Sequence, residues 1–146
     1  MKTNPKSSGG AAVRVLSLRT IRRTELQDVT DKIAAAVRDS GCASGVCHLY
    51  VPHTTAGVII NEGYDPAVAH DIESAFDRLV PRVANSSHAE GNSDSHIKTA
   101  LVGCTETIWI TSGRLALGRW QAIFFAEFDG PRSRELHVKI VPDALA

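Results

Sequence analysis

The sequence predicts an α+β fold in a single domain, with a largely antiparallel or mixed β-sheet, two main helices and a short third helix. Several short segments alternate apolar and polar side chains, as strands do, and only three segments place apolar residues at helical spacing. The last three strand-like segments follow one another closely, which favours antiparallel pairing. A doubly wound parallel sheet would need a helical crossover after each strand, so we do not expect one.

The chain of 146 residues is long enough for one domain with a single core, which we place at residues 12–142. Residues 1–11 are rich in Pro, Gly and Ser, so we expect a flexible N-terminal tail, and residues 143–146 form a short C-terminal tail. The 16 basic and 16 acidic side chains give a net charge of zero. This balance disfavours a nucleic-acid protein that relies on a broad basic surface.

Signals for export or membrane insertion are not expected in this chain. No apolar run is long enough to cross a bilayer, and the N-terminal residues lack the apolar stretch of a secretory signal. Cys42, Cys47 and Cys104 are odd in number and have no Cys-x-x-Cys spacing, so we expect reduced, buried thiols. Together these observations predict a cytoplasmic protein without a membrane partner.

The first half of the domain contains three predicted strands, over residues 13–21, 45–51 and 58–61. A helix is expected between the first two, with Asp28 as its N-cap and Gly41 at its end. Asp65 before Pro66 is a typical helix start, and Pro81 ends this second helix. The second helix is expected to bury Val68, Ile72, Phe76, Leu79 and Val80.

The second half begins with a polar segment over residues 82–95. A short helix over 96–103 follows, with Ser93 or Ser95 as its cap. Three strands complete the domain, over residues 107–111, 119–128 and 134–141, of which the middle one is predicted to be the longest.

The stretch from residue 88 to residue 98 is the first candidate for a binding or catalytic site. His88 and His96 are eight residues apart, and Glu90, Asn92 and Asp94 alternate between them. These side chains handle protons or bind metals, and none of them suits an apolar core. His53 lies in another predicted loop and would complete a three-ligand zinc site that keeps one position for water. Solvated loop histidines, or acid–base histidines without a metal, are the alternatives.

Two carboxylates are candidates for catalysis. In the long strand, alternation places Glu127 on one face with Gln121, Ile123 and Phe125. Glu127 is therefore either solvated at the strand end or a partly buried functional group with a perturbed pKa. Glu62 follows a buried strand. It is either a ligand or catalytic base or an ordinary surface acid, and the two interpretations are equally open.

A set of cations is the candidate for phosphate binding. Guanidinium forks bind phosphate oxygens well, and glycines near them expose backbone N–H groups. A solvated rim with ordinary ion pairs is the alternative. The set consists of Lys98, Arg114, Arg119, Arg132 and Arg134.

Several separate motifs resemble the YjbQ (UPF0047) family, which is also labelled secondary thiamine-phosphate synthase. They occur in the family's order and extend over nearly all of residues 12–142. The motifs are His53-Thr54-Thr55-Ala56-Gly57, Asn61-Glu62, Asp65-Pro66, His88, Gly91-Asn92, Ser95-His96-Ile97-Lys98, Leu117-Gly118-Arg119-Trp120-Gln121, Glu127, Asp129-Gly130-Pro131-Arg132 and Arg134. Arg119 stands where many members have Thr, and Ser93-Asp94-Ser95 is more polar than the usual small residues. Both departures bear on the substrate and not on the fold.

The resemblance implies an α+β homotrimer with sites near the subunit boundaries. It also implies a divalent metal near the histidines, with zinc expected and magnesium as the alternative. By position in the motifs, His53, His88 and His96 are the expected metal ligands, and Glu62, His88 and Glu127 are the expected catalytic residues. The expected substrate-binding residues are Asn92, Lys98, Arg119, Gln121 and Arg132.

The family label implies thiamine-phosphate synthesis, in which a pyrimidine pyrophosphate is joined to a thiazole phosphate. The expected substrate is therefore a small, phosphorylated molecule. Two alternatives stay open from the sequence: a zinc-dependent hydrolase of a small substrate, and a trimeric protein that binds a metal or small ligand without turnover. The sequence does not decide whether the protein is an enzyme.

Overall fold

A computed structural model describes residues 12–82 and 87–144, and within them the predicted α+β fold is confirmed. The predicted tail over residues 1–11 and part of the polar segment lie outside the described residues. The elements in chain order are β1 (Val13–Arg19), β2 (Glu25–Asp28), α1 (Thr30–Ser40), β3 (Gly45–Tyr50), β4 (Ala56–Glu62), α2 (Pro66–Leu79), α3 (Ser93–Val102), β5 (Thr105–Thr111), β6 (Arg114–Leu115), β7 (Gln121–Glu127) and β8 (Ser133–Pro142). No helix among these is long and apolar enough to cross a membrane.

The strands form two antiparallel sheets. The larger sheet has the order β1-β8-β3-β5-β6, and the smaller has the order β2-β7-β4. The main core lies between the inner face of the larger sheet, α1 and one face of the smaller sheet, and it includes Leu49, Ile33 and Phe125. A second core lies between the other face of the smaller sheet and the helices α2 and α3, around Phe124 and Phe128. The smaller sheet is therefore covered on both faces.

Strand β7 follows the predicted alternation. Ile123 and Phe125 enter the main core, whereas Phe124 and Ala126 enter the second core. Helix α2 covers the second of these faces, since Ile72 and Phe76 pack against it. Trp120 precedes the strand and is still 47% exposed, so it lies outside that cover.

The edge strand β2 and the two-residue strand β6 are absent from the prediction. Glu25 to Asp28 do not alternate clearly, and their pairing with β7 is what makes them a strand. The side chain of Glu25 turns back and accepts hydrogen bonds from the backbone of Ile21 and Arg22. Tertiary contact overrides local propensity here. The prediction that residues 119–128 form the longest strand is also wrong, because β8 has 10 residues and β7 has seven.

Helix boundaries are close to prediction, but the predicted caps of α1 and α3 are wrong, and Val29 stands at the N-cap of α1 in place of Asp28. Asp65 caps α2 by accepting from the backbone N–H of Ala67 at 2.9 Å, as predicted. Helix α3 begins at Ser93 with Asn92 at the N-cap, so it starts earlier than predicted and neither serine is the cap. Most of the polar stretch therefore belongs to a helix that fixes its side chains.

The buried stripe predicted for α2 is only partly correct. Ile72 and Phe76 pack against the second core, but Leu79 is 75% exposed. The buried position on α2 is instead Glu73. Its carboxylate accepts from the backbone N–H of Leu26 at 2.8 Å and pairs with Arg22, so an acid supplies the acceptor that the edge strand β2 lacks.

Candidate functional site

Helix α3 and the segment after β7 bring several predicted site residues together. The hydroxyl of Ser95 donates to the carbonyl of Phe128 at 2.6 Å and fixes the start of α3 against the end of β7. Arg23, from the loop between β1 and β2, reaches the same region. We call this group the α3 cluster, and it consists of Arg23, His88, Asn92, Asp94, His96, Lys98, Asp129 and Arg132.

The two histidines of the α3 cluster contact each other. The ring centroids of His88 and His96 are 5.1 Å apart, and the rings are nearly perpendicular at 88°. The side chain of His88 is 42% exposed, and its Nε2 lies 3.7 Å from a carboxylate oxygen of Glu90. The pair therefore lies at the surface of the cluster, where a ligand can reach it.

Asp94 is the buried centre of the cluster. Arg23 donates to its two oxygens at 2.8 and 3.1 Å, and Lys98 lies 3.3 Å from it. The Lys98 side chain is only 1% exposed, and its Nζ also pairs with Asp77 at 2.7 Å. Burial by itself raises the pKa of Asp94, but the hydrogen bond from Arg23 and the charges of Arg23 and Lys98 outweigh it, so the pKa lies below its ordinary value. Asp94 is therefore charged at neutral pH.

A cavity of about 340 Å³ opens beside this ion pair. Cations line it at three positions, Arg23, Arg82 and Lys98, and acids at two, Asp77 and Asp94. Asp77 is 55% exposed, whereas Asp94 is 1% exposed at its side chain, so only Asp77 can move away at small cost. An anion that replaced Asp77 would meet a Lys98 ammonium already aimed at the cavity.

Asn92 and Arg132 meet at Asp129. The amide nitrogen of Asn92 donates to the Asp129 carboxylate at 2.9 Å, and Arg132 pairs with the same oxygen at 2.8 Å. Burial by itself raises the pKa of Asp129, but these two donors outweigh it, so the pKa is lowered. The side-chain oxygen of Asn92 is buried and has no hydrogen-bond partner within the described ranges.

Glu127 lies below this surface in a network of its own. It is fully buried, and Arg134 donates to both of its carboxylate oxygens. The hydroxyl of Thr20 and the backbone N–H of Asp129 also donate to it, each at 2.9 Å. Arg134 further donates to the hydroxyl of Thr55 at 2.8 Å. In the isolated chain both oxygens of Glu127 are engaged, so its catalytic role stays a prediction.

His53 lines a separate cavity of about 570 Å³ with Arg19, Ser133 and Glu135. Its Nε2 accepts a hydrogen bond from the backbone N–H of Glu135 at 2.9 Å. Burial and the positive charge of Arg134 lower the pKa of His53, so the ring is neutral at neutral pH with its proton on Nδ1.

The predicted metal set is not assembled by one chain. Within residues 12–82 and 87–144 no three His, Cys, Asp or Glu side chains converge as ligands of a metal ion. The Nε2 atom of His53 already accepts a hydrogen bond from a backbone N–H. Of the three predicted ligands, His88 and His96 contact each other. The described part of one chain thus does not bring the three predicted ligands together, and the metal stays a prediction.

The remaining predicted residues lie at the opposite end of β7. Glu62 on β4 lies opposite Gln121 on β7 in the antiparallel register. From Gln121, β7 extends over about 20 Å before it reaches Glu127. Trp120 contacts Tyr64 edge to face at 4.7 Å between centroids, and Arg119 lies over Trp120 at 5.3 Å. We call this the Trp120 end.

The predicted cations therefore do not gather at one site. Lys98 and Arg132 belong to the α3 cluster, and Arg119 lies at the Trp120 end. Arg134 forms a buried ion pair with Glu127, and Arg114 lines another cavity. The cations were grouped because they lie near glycines in the sequence, and this does not indicate at which end of a sheet each residue lies.

Sequence reasoning missed Arg23, Asp77 and Arg82 as parts of the site. The spacing of Asp94 and Lys98, four residues apart on a helix, is a signal that a pair forms there. Arg23 and Asp77 carry no local signal, because only the packing of β2 and α2 brings them to α3.

Comparison with known proteins gives consistent matches. Residues 14–143 match the family described as UPF0047 protein YjbQ-like. The chain is 53% identical over 126 residues to UPF0047 protein MJ1081 of Methanocaldococcus jannaschii, which covers 86% of this chain and 91% of that protein. It is 40% identical over 130 residues to UPF0047 protein YugU of Bacillus subtilis, covering 88% and 98% of the two chains.

Solved structures give the same result. An uncharacterized conserved protein of the yjbq/upf0047 family from Clostridium acetobutylicum superposes with a TM-score of 0.85 at 44% identity, covering 88% of this chain and 99% of that one. A protein of unknown function from Sulfolobus solfataricus superposes with a TM-score of 0.87 at 29% identity, covering 91% and 98%. The α+β fold is thus shared over almost the whole domain.

Proposed function

Because the chain belongs to the YjbQ (UPF0047) family, we propose that it is a transferase of the thiamine-phosphate synthase type, with its phosphate-binding surface at the α3 cluster. The observation that carries the proposal is Lys98, a buried ammonium held at a cavity that Arg23 and Arg82 also line. Such fixed cations stabilise a leaving pyrophosphate more than solvated ones do.

The reaction breaks the bond between the pyrimidine methylene carbon and the pyrophosphate oxygen. The thiazole nitrogen supplies the electron pair of the new C–N bond, and pyrophosphate leaves with the pair from the broken bond. Lys98 would exchange Asp77 for a phosphate oxygen, since Asp94 keeps its pairing with Arg23. The role of this exchange is to place a positive charge where negative charge grows.

His88 and His96 are the proposed proton donors of the surface. Two observations support this role: the two rings contact each other, and the side chain of His88 is 42% exposed, so an oxygen of the departing pyrophosphate could accept from it. Asn92 would support substrate binding by holding the Asp129 carboxylate with which Arg132 pairs. A divalent metal, if held by the two imidazoles, would supply further charge neutralisation. No step is assigned to it, because no third ligand converges with them among residues 12–82 and 87–144.

We propose that the complete site includes a second copy of the chain in a homotrimer. Glu62, Arg119 and Gln121 lie at the Trp120 end, and one small substrate cannot span the roughly 20 Å of β7 to the α3 cluster. The larger sheet supports assembly, because its outer face leaves large apolar side chains uncovered. These side chains are Val13, Val15, Tyr50, Trp109 and Val141.

The first experiment measures formation of thiamine phosphate from the pyrimidine pyrophosphate and the thiazole phosphate. We expect turnover by the wild type and at least a tenfold loss in Lys98→Met, because a charged hydrogen bond to phosphate contributes about 1.5–3 kcal/mol. Lys32→Met is the matched control, since Lys32 is an exposed lysine on α1. A wild-type protein without turnover would sink the transferase proposal.

A second experiment tests whether the site spans two copies. Glu62→Ala and His88→Ala are each expected to be inactive, and co-expression of the two should restore part of the activity if the residues act across a boundary. Tagged pull-down shows whether mixed assemblies form. Mixed assemblies without any recovery would place both residues in the same chain's site or outside it.

Metal analysis of chelator-free protein tests the cofactor. If zinc binds, His88→Ala and His96→Ala lose it and His48→Ala, on the larger sheet, keeps it. A metal-free wild type removes zinc from the proposal and leaves the phosphate site unaffected.

A trimeric ligand-binding protein without turnover is the second candidate. One observation favours it: Asp94, Lys98 and Arg23 already satisfy one another without a ligand. Binding of pyrophosphate without any thiamine phosphate formed would select this alternative.

A further inference from the structure

A second cavity, of about 440 Å³, lies between α1 and the strand β6, away from the α3 cluster. Thr30, Ala34 and Arg38 line one wall, and their spacing of four residues places them on one face of α1. The opposite wall consists of Gly113, Arg114, Leu115 and Leu117. Its volume is in the range of about 300–1,000 Å³ that small-molecule sites have.

The two arginines of this cavity are unusual within the described residues. Most arginines there have a partner in the chain, namely Arg14, Arg19, Arg22, Arg23, Arg82, Arg119, Arg132 and Arg134. Across residues 12–82 and 87–144, only Arg38, Arg78 and Arg114 have a guanidinium without a hydrogen bond, ion pair or aromatic contact. Two of these three line the same cavity.

The chemistry of the walls distinguishes this cavity from the one beside Lys98. The Lys98 cavity has Asp77 and Asp94 to balance its cations, whereas none of the residues that line this cavity is acidic. Apart from the arginines, its walls are largely apolar, with Ala34, Leu115 and Leu117. The C-terminal turn of α1 favours a cation and so accounts for Arg38, but it does not account for Arg114 on the facing wall.

We propose that this cavity is a binding site for a small organic anion with an apolar body. The two guanidinium groups would bind the carboxylate, sulfonate or phosphate group, and the leucines would contact the apolar part. The site is independent of the transferase proposal, because it shares no residue with the α3 cluster or the Trp120 end.

Fluorescence titration with anilinonaphthalene sulfonate, an apolar dye with one sulfonate group, tests the site. We expect Arg38→Gln together with Arg114→Gln to weaken binding by at least tenfold, and Arg78→Gln, the matched control on α2, to leave it unchanged. Ala34→Met keeps both arginines but narrows the cavity, so it should also weaken binding. The uncharged analogue phenylnaphthylamine should bind less tightly to the wild type than the sulfonate does.

Three results would overturn the proposal. The first is an equal loss of dye binding in Arg78→Gln, which indicates a general charge effect. The second is equal affinity for the charged and uncharged dyes, which indicates an apolar surface and no anion site. The third is a changed sedimentation coefficient in the double variant, which indicates a contact between copies. Thermal unfolding of the double variant should match that of the wild type, because neither guanidinium has a partner to lose within the described chain.

Discussion

The two ends of β7 differ in how they hold a carboxylate. At one end, Glu127 is fully buried and both its oxygens accept hydrogen bonds. At the other end, the carboxylate of the half-buried Glu62 has no partner in the described chain. The Glu127 end is closed by Arg134, Thr20 and the segment after the strand. The Trp120 end exposes Tyr64 and Trp120. A buried charge must be paired to be tolerated, so the closed end is built for stability. An accessible charge beside an aromatic surface is free to bind a ligand.

The largest expected effect breaks the closed end. Glu127→Ala leaves the guanidinium of Arg134 buried and unpaired, and such a loss costs about 3–5 kcal/mol of the free energy of unfolding. Urea denaturation measures it. Glu135→Ala is the control, because Glu135 is exposed and its change should cost less than about 1 kcal/mol. Equal stability of the two variants would contradict a structural role for the Glu127–Arg134 pair.

Asp94 occupies an intermediate position, since it is buried like Glu127 but lies beside a cavity. Asp94→Asn removes a charge that both Arg23 and Lys98 face, and we expect a loss of about 2 kcal/mol at neutral pH. Asp77→Asn removes a half-exposed partner of the same lysine and should cost less than about 1 kcal/mol.

The acid profile of the same variants sharpens this prediction. The folded pKa of Asp94 lies below its ordinary value of 3.8, so its contribution is fully present above that value and is lost as the pH falls through the folded pKa. Asp94→Asn should therefore lose less stability than the wild type between neutral and acid pH. An unchanged acid profile would mean that the lowered pKa of Asp94 does not support the fold.

A smaller effect is expected at His53, beside the closed end. Its folded pKa lies below the ordinary 6.5, so the unfolded chain takes up a proton first, and stability falls as the pH drops from 6.5 towards the folded value. NMR titration of the ring protons should give a midpoint below 6.5 in the folded protein. A midpoint at or above 6.5 would mean that the ring is not kept neutral by burial and Arg134.

The smallest effect on stability is expected at the Trp120 end. Glu62→Gln removes a charge without a partner among the described residues, so the free energy of unfolding should change by less than about 0.5 kcal/mol. If Glu62 contacts substrate, turnover falls at least tenfold in the same variant. A loss of stability as large as that of Asp94→Asn would remove the distinction between the two ends.

The pattern of apolar and capping residues along the chain predicted the features that depend on interactions between near neighbours in sequence. The α+β class, the Asp65 cap and the two faces of β7 follow from periodicity and helix-start chemistry, and the structure confirms them. His96 and Lys98 lie on α3, and Asn92 is its N-cap, so these neighbours in sequence stay neighbours in the fold, and their role as a site stays a prediction. The edge strand β2 was missed because its conformation comes from pairing with β7.

By itself, the sequence determined the family and the fold class, since family motifs and hydrophobic period are read along the chain. The tertiary structure alone decided that Arg134 belongs to Glu127 and that Arg23 and Asp77 join Lys98. It also separated Glu62 from Glu127 by the length of a strand. The physical reason is that a charge takes the partner that burial places beside it, and burial is set by sheets and helices packing across long sequence distances.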